Sequence, residues 1–220
     1  MAIAFIQEAD NGSGTTSSST SVTITSSTFG SLLVVAVYKN NGTTISSITD
    51  NIGNTYTQVP GAHAVGSPAP DTTDIWYSAN SLSGVTSVTV NFGSTCFNVP
   101  YILEYSGVAT TSPIDVAGNI SAGSTGGGNP TGPSLTTTQD GDLIIALCSA
   151  HGIGIGGVNS PFTLRSNTDG EAVADYIGPV AGTYQAIFTP TGPSQLCSSG
   201  VAFTVVPAPT TSTSSMFLVF

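Results

Sequence analysis

Few side chains in this sequence could do acid, base, nucleophilic or metal chemistry, and their spacing decides what each could support. His63 lies in GAHAVGSPAP and His151 in SAHGIGIGG, both glycine-rich segments, and neither has the spacing of a metal site or a catalytic triad. Glu104 sits in the run YILEY, where glycosidase chemistry would need a second carboxylate; the plainer expectation is that it faces solvent, opposite Tyr101, Leu103 and Tyr105. Cys96, Cys148 and Cys197 are an odd number without a CxxC pair, which argues against zinc and permits at most one internal bridge. Cys96 and Cys197 each precede a final apolar strand of a half-domain, so they are the expected disulfide in an oxidising compartment; three small buried thiols are the alternative. Asp10-Asn11, Asp50-Asn51 with Asn54, and Asp140 with Asp142 form oxygen-rich turns of the kind that can bind calcium. None matches an EF-hand loop, and the turn preference of Asn and Asp accounts for them more simply. Trp76 and Tyr77 could stack on sugars, although in DIWYSAN one of the two must point inward. Serines are too numerous for any Ser/His/Asp arrangement to be informative. The expectation is a protein that is no enzyme, with no metal and no cofactor.

Composition narrows the partners. The 220 residues include 12 acidic and 2 basic side chains, Lys39 and Arg165, for a net charge of -10. Such a chain cannot neutralise a run of phosphates, so nucleic acid and anionic lipid are excluded as partners on physical grounds. With 39% hydrophobic residues it can bury a core, and 30 Ser and 32 Thr must supply the solubility that Lys and Glu usually provide. That balance suits an extracellular β-protein. The start MAIAFIQEAD lacks the basic residues and long apolar stretch of a secretory signal, so export by another route, or a signal outside this numbering, is expected. No apolar stretch is long enough for a membrane-spanning helix.

The elements that would position these residues are strands. Short β-branched or aromatic runs recur between Gly, Asn, Asp, Ser and Pro, with alternation in Val22-Thr23-Ile24, Val88 to Phe92 and Tyr184 to Phe188. Leu32 to Tyr38 and Leu143 to Cys148 are continuous apolar runs, suited to central strands covered on both faces. Gly12 to Thr20, His63 to Thr73 and Ser121 to Pro133 read as polar loops. An internal repeat spans the two halves, about 21–108 and 134–206: GSLLVVAVYK answers GDLIIALCSA, and SVTIT answers SLTTT. It aligns Leu33 with Ile144, Tyr77 with Tyr176, Val90 with Ala186 and Tyr105 with Val205. Since neither half is expected to cover both faces of a sheet, the repeat predicts two interleaved halves forming one two-sheet jelly-roll β-sandwich over residues 1–206.

After Val206 the composition changes to a Pro/Thr/Ser linker, residues 207–215, and then to the apolar run Met216, Phe217, Leu218, Val219, Phe220. Five large apolar residues in a row need cover. As a strand they would span about 16 Å with both faces apolar, and the linker could reach about 30 Å, enough to leave its own domain. This predicts strand donation to a copy of the chain, and head-to-tail donation that does not close makes a helical homopolymer. Ile3, Phe5 and Ile6 are a second candidate donor. A membrane β-barrel is excluded, because its strands alternate over about 9–11 residues.

In these features the chain resembles pilus-type filament subunits assembled by donor-strand complementation. Its globular part, with TDNIGNTYT, IWYSAN and ILEYSGV, is similar to jelly-roll domains of bacterial extracellular proteins. The resemblance implies a structural subunit of an extracellular filament on the bacterial surface; the alternative is a carbohydrate-binding module or a phage virion or adhesin protein on the same fold. Asn11, Asn41 and Asn119 begin acceptor sequons, so glycans are candidate additions.

Overall fold

A computed structural model describes residues 2–66, 70–124, 129–150, 153–192 and 195–206, in which sixteen strands and no helix occur. The linker and the run Met216 to Phe220 lie outside the described residues, as does His151. The first half builds a sheet ordered β1 (Ala4–Asp10), β7 (Ser87–Ser106), β3 (Leu32–Lys39), β6 (Thr72–Ser78), β5 (Thr57–Val65). The second builds β8 (Ile114–Ser124), β16 (Gln195–Phe203), β10 (Leu143–Ser149), β13 (Glu171–Ile177), β12 (Thr163–Thr168). All of these pairings are antiparallel.

The halves are not interleaved. Each keeps its strands in its own sheet, and the two sheets meet face to face around Val34, Ala36, Tyr101, Leu103, Tyr105, Ile145, Leu147, Val201 and Phe203. Each half also covers the outer face of its own sheet, which the sequence reading did not expect. The 20-residue strand β7 makes this possible in the first half: Ser87 to Phe92 pair with β2 (Thr15–Thr23) and β4 (Ile45–Asp50), while Asn98 to Tyr105 pair with β3. Val22, Ile48, Val88 and Val90 on the outer arm thereby pack on Leu33, Val35 and Val37. In the second half, β9 (Leu135–Thr136) pairs with β14 (Thr183–Tyr184) and β11 (Ile155–Val158) with β15 (Phe188–Pro190). Leu135, Ile155, Ala186 and Phe188 then cover Ile144, Ala146 and Cys148. Both continuous apolar runs are central strands buried on two faces, as their composition requires.

The two five-strand paths follow one strand order, with β1 answering β8 at an edge. Leu33 and Ile144 hold equivalent places, each facing an outer core. Two other alignments shift: Tyr105 corresponds to Phe203, since they pair with Leu32 and Leu143, and Tyr77 corresponds to Asp175. Tyr77 therefore faces the inner core while Tyr176 faces the outer one. The stretch Gly12 to Thr20 is largely strand β2 rather than loop, because its hydroxyls lie on an exposed edge and leave no apolar alternation to read. Tyr184 to Phe188 is broken by three non-strand residues, although Ala186 and Phe188 are buried as alternation demands.

At the sheet interface, Asp175 is buried where Tyr77 stands in the other half. Its Oδ2 accepts from Tyr105 Oη at 2.8 Å and from Arg165 Nε at 2.8 Å, and the guanidinium lies 3.8 Å from the Phe5 ring centroid. Burial raises the Asp175 carboxyl above its ordinary range, and the Arg165 and Tyr105 bonds oppose that rise. Tyr105→Phe should cost about 1.5–3 kcal/mol in urea unfolding, because a charged acceptor loses one of its donors in a dry site. Phe203 in the equivalent place shows that the bare ring fits.

Candidate functional site

The two halves serve as controls for each other: a polar group needed merely to build the fold should recur, and one that does not recur calls for a separate account. Lys39 and Asp74 are 1% and 2% exposed, and the equivalent positions in the second half are Ala150 and Ala172, both fully buried. The fold accepts alanine there, so the ion pair is particular to the first half. Lys39 Nζ lies 2.5 Å from Asp74 Oδ2 and 2.5 Å from Thr72 Oγ1. Asp74 Oδ1 accepts from Gln58 Nε2 at 2.8 Å and lies 2.7 Å from His63 Nδ1. β6 supplies Asp74 and Thr72, β3 supplies Lys39, and the edge strand β5 brings Gln58 and His63 across.

These groups line a cavity of about 410 Å³ with Trp76, Thr43, Thr44 and Ile45. That size lies within the range of small-molecule sites. Trp76 is half-buried and packs on the outer core, and its Nε1 is buried without a partner among the described residues; Tyr77 points inward against Phe203. The ion pair cancels formal charge and fixes the carboxylate, so the cavity suits a neutral polar ligand better than an anion. Sequence reading considered His63 and Trp76 separately; Asp74, which joins them, carried no motif.

A second cleft of about 560 Å³ opens between the halves, lined by Tyr38, Asn40 and Phe97 from one and by Asp169, Gly170 and Glu171 from the other. Glu171 is 1% exposed, and its Oε2 has no hydrogen-bond partner among the described residues, while Oε1 accepts from Ser149 at 3.3 Å. Burial raises its carboxyl to about 9, with Asp169 and Asp71 adding to the rise and the Ser149 bond opposing it. Burial, then the Asp71 charge, also raises the Tyr38 hydroxyl, which hydrogen-bonds Asp71.

The remaining sequence candidates resolve as follows. Glu104 does not face solvent: it is fully buried and accepts from Gln7 Nε2 at 2.6 Å, Thr28 N at 2.7 Å and Ser31 Oγ at 2.8 Å. It ties loops to the sheet where the second half has Ala202. The Cys96–Cys197 bridge is not formed; all three thiols are free and buried. Cys96 packs in the outer core of the first half, whereas Cys197 is in the second sheet, where burial and then Asp71 raise its thiol to about 12. Asp50 accepts from Ile52 N, Gly53 N, Asn54 N and Nδ2, and Tyr56 Oη, which makes it the anchor of a turn. Asp10 bonds Ser166 and Thr168 across the halves, and Asp142 hydrogen-bonds Gln139. No group of three or more His, Cys, Asp and Glu side chains able to hold a metal occurs among the described residues. Asn41 is exposed on a turn; Asn119 is exposed but donates to Gly61 O at 2.9 Å, and Asn11 is half-buried. Ile3 and Phe5 belong to the chain's own inner core, through β1.

No family model, curated protein or solved structure matches the chain. Among the described residues no helix is long and apolar enough to cross a membrane.

Replacing Lys39 by Met should cost about 3–5 kcal/mol in urea unfolding, since it leaves a carboxylate buried without its counter-ion. Replacing Asp74 by Leu in the same chain should recover much of that loss, as Ala150 and Ala172 lead one to expect. A double variant no more stable than the single one would show that the pair is structural.

Proposed function

We propose that the chain is a structural subunit of an extracellular, pilus-like filament on a bacterial surface, polymerising head to tail by donation of the apolar strand Met216 to Phe220. The observation that supports this reading is a cluster of exposed apolar side chains at the end of the molecule where Val206, the last described residue, lies. At one end lie the exposed Phe29, Ile52 and Leu82 of the first half and Val180 of the second. The loops bearing the first three are tied together by Gly30 N to Ser81 O and Leu82 N to Asn54 Oδ1, and Gly178 N bonds Asp142 O beside Val180. The last described residue leaves from this same end, where Val206 N donates to Gly107 O. At the other end Lys39, Asp71, Thr72, Ser149 and Glu171 are buried, and the exposed Val65 pairs with Thr72 there. An apolar cluster at one end that engages a different surface of the next copy makes a heterologous contact, which propagates instead of closing. The alternate assignment of β1 to β4 between inner sheet and outer arm supports a jelly-roll reading of the first half, repeated in the second.

The chain shortened to end at Pro209 should sediment as a monomer under conditions where the full chain forms filaments in electron micrographs. Filaments of the shortened chain would overturn the assignment of the donor.

The cavity beside Trp76 favours a second reading, a module that binds neutral saccharide. On that reading the monomer should give saturable signals on a glycan array, and Trp76→Ala should lower affinity by about tenfold, consistent with loss of about 1.4 kcal/mol of stacking.

A further inference from the structure

The contact between Lys39 and Asp74 has the layout of a reaction as well as of an ion pair. The two residues are diagonal neighbours on one face of the sheet, since Lys39 pairs with Thr72 and Asp74 with Val37. Both are almost wholly buried, and Val37 belongs to the outer core. The two oxygens of the carboxyl group have different partners. Oδ2 faces the amine, 2.5 Å from Lys39 Nζ, whereas Oδ1 meets Gln58 Nε2 at 2.8 Å and His63 Nδ1 at 2.7 Å. Thr72 Oγ1 lies 2.5 Å from the same lysine nitrogen. Amide formation asks for this division: a nucleophile against the oxygen that leaves, and hydrogen-bond donors on the oxygen that becomes negative in the transition state.

We propose that Lys39 and Asp74 condense into an intramolecular amide, an isopeptide bond that ties β3 to β6. Proton transfer from the ammonium to Oδ2 gives the free amine and the carboxylic acid. The nitrogen lone pair then attacks Cγ, and the negative charge that develops on Oδ1 is held by the N–H groups of Gln58 and His63. Nζ passes a second proton to Oδ2 through the Thr72 hydroxyl, the Cγ–Oδ2 bond breaks, and Oδ2 leaves as water. One hydrogen stays on the amide nitrogen, and no oxidant or cofactor is consumed. In bulk water the ions would remain apart, but groups held in contact react with effective molarities of about 10⁵–10⁸ M. The cavity lined by both residues, His63 and Trp76 gives the released water a way out. The second half has Ala150 and Ala172 at these places, so this pair forms one bond per chain, in the first half. The bond closes residues 40–73 into a loop anchored on the central strand β3. It does not rest on the filament reading, although a subunit pulled along a filament would hold better with a sheet that cannot unzip between β3 and β6.

Mass spectrometry of the full chain, denatured in urea, tests this. Lys39 and Arg165 are its only Lys and Arg, so trypsin can cut only after these two residues. The expected result is an intact mass lighter than the sequence by one water, no cut after Lys39, and fragment spectra that join Lys39 to Asp74. Asp74→Ala should restore both the water and the cut, a readout that holds whether or not the variant folds. His63→Ala and Gln58→Leu keep both reacting groups, and each should slow the loss of water from newly made chain by about a hundredfold; unchanged rates would overturn the mechanism. A wild-type chain of full sequence mass that is cut after Lys39 would overturn the proposal. So would a missing water with Lys39 still cut, which would mark a succinimide at Asp140-Gly141 or Asp169-Gly170.

Discussion

The structure depends on covering both faces of two sheets at once. β3 and β10 are apolar on either side, and a strand of that kind is stable only between two packed layers. Each half supplies one layer from its own chain by folding the outer arm back, and obtains the other from its sibling. The inner core between the sheets is therefore shared. Separating the halves would expose Tyr101, Leu103, Tyr105 and Phe203 together, each a side chain whose burial is worth about 1.5–3 kcal/mol. A chain with 6% charged residues has little other means of making an isolated half soluble and stable.

Duplication of a strand order makes the differences between halves informative. Around the inner core one place holds the edge-to-face rings of Tyr77 and Phe203, 5.6 Å apart, and its counterpart holds Asp175 with Tyr105 and Arg165. On the outer face Lys39 and Asp74 answer two alanines, and Glu104 answers Ala202. The buried ionic groups Lys39, Asp74, Glu104 and Asp175 thus lie where the two halves differ. Glu104 has a structural explanation, since three donors, Gln7 from β1 and Thr28 and Ser31 from the connection between β2 and β3, converge on it. The cavity around Asp74 and the cleft at Glu171 are less easily explained by folding alone, because each leaves buried polar atoms of Trp76 or Glu171 without partners.

How much of this was legible in the sequence follows from what each signal measures. Apolar runs report burial, so β3 and β10 were visible as central strands. Alternation reports one covered face, so Val88 to Phe92 was visible as well. Neither signal reports which layer a strand joins, and for that reason the outer arms and the separation of the halves were missed. The strand TTSSSTSVT was hidden because hydroxyl side chains on an exposed edge leave no pattern. Glu104 was misplaced because alternation locates the opposite face but not what covers it. The candidate site was the least legible part: His63 and Asp74 are eleven positions apart on paired strands, and Glu171 meets Asp71 only because two distant halves pack together.

The same geometry bears on assembly. Because the two halves point the same way along their strands, loops of both meet at each end, and any difference between strand ends is doubled rather than cancelled. Had they packed in opposite senses, Val180 would lie at the end away from Phe29, Ile52 and Leu82. Packing in the same sense thus brings Phe29, Ile52 and Leu82 of one half and Val180 of the other to one end, the asymmetry on which the proposed directional contact between copies would draw.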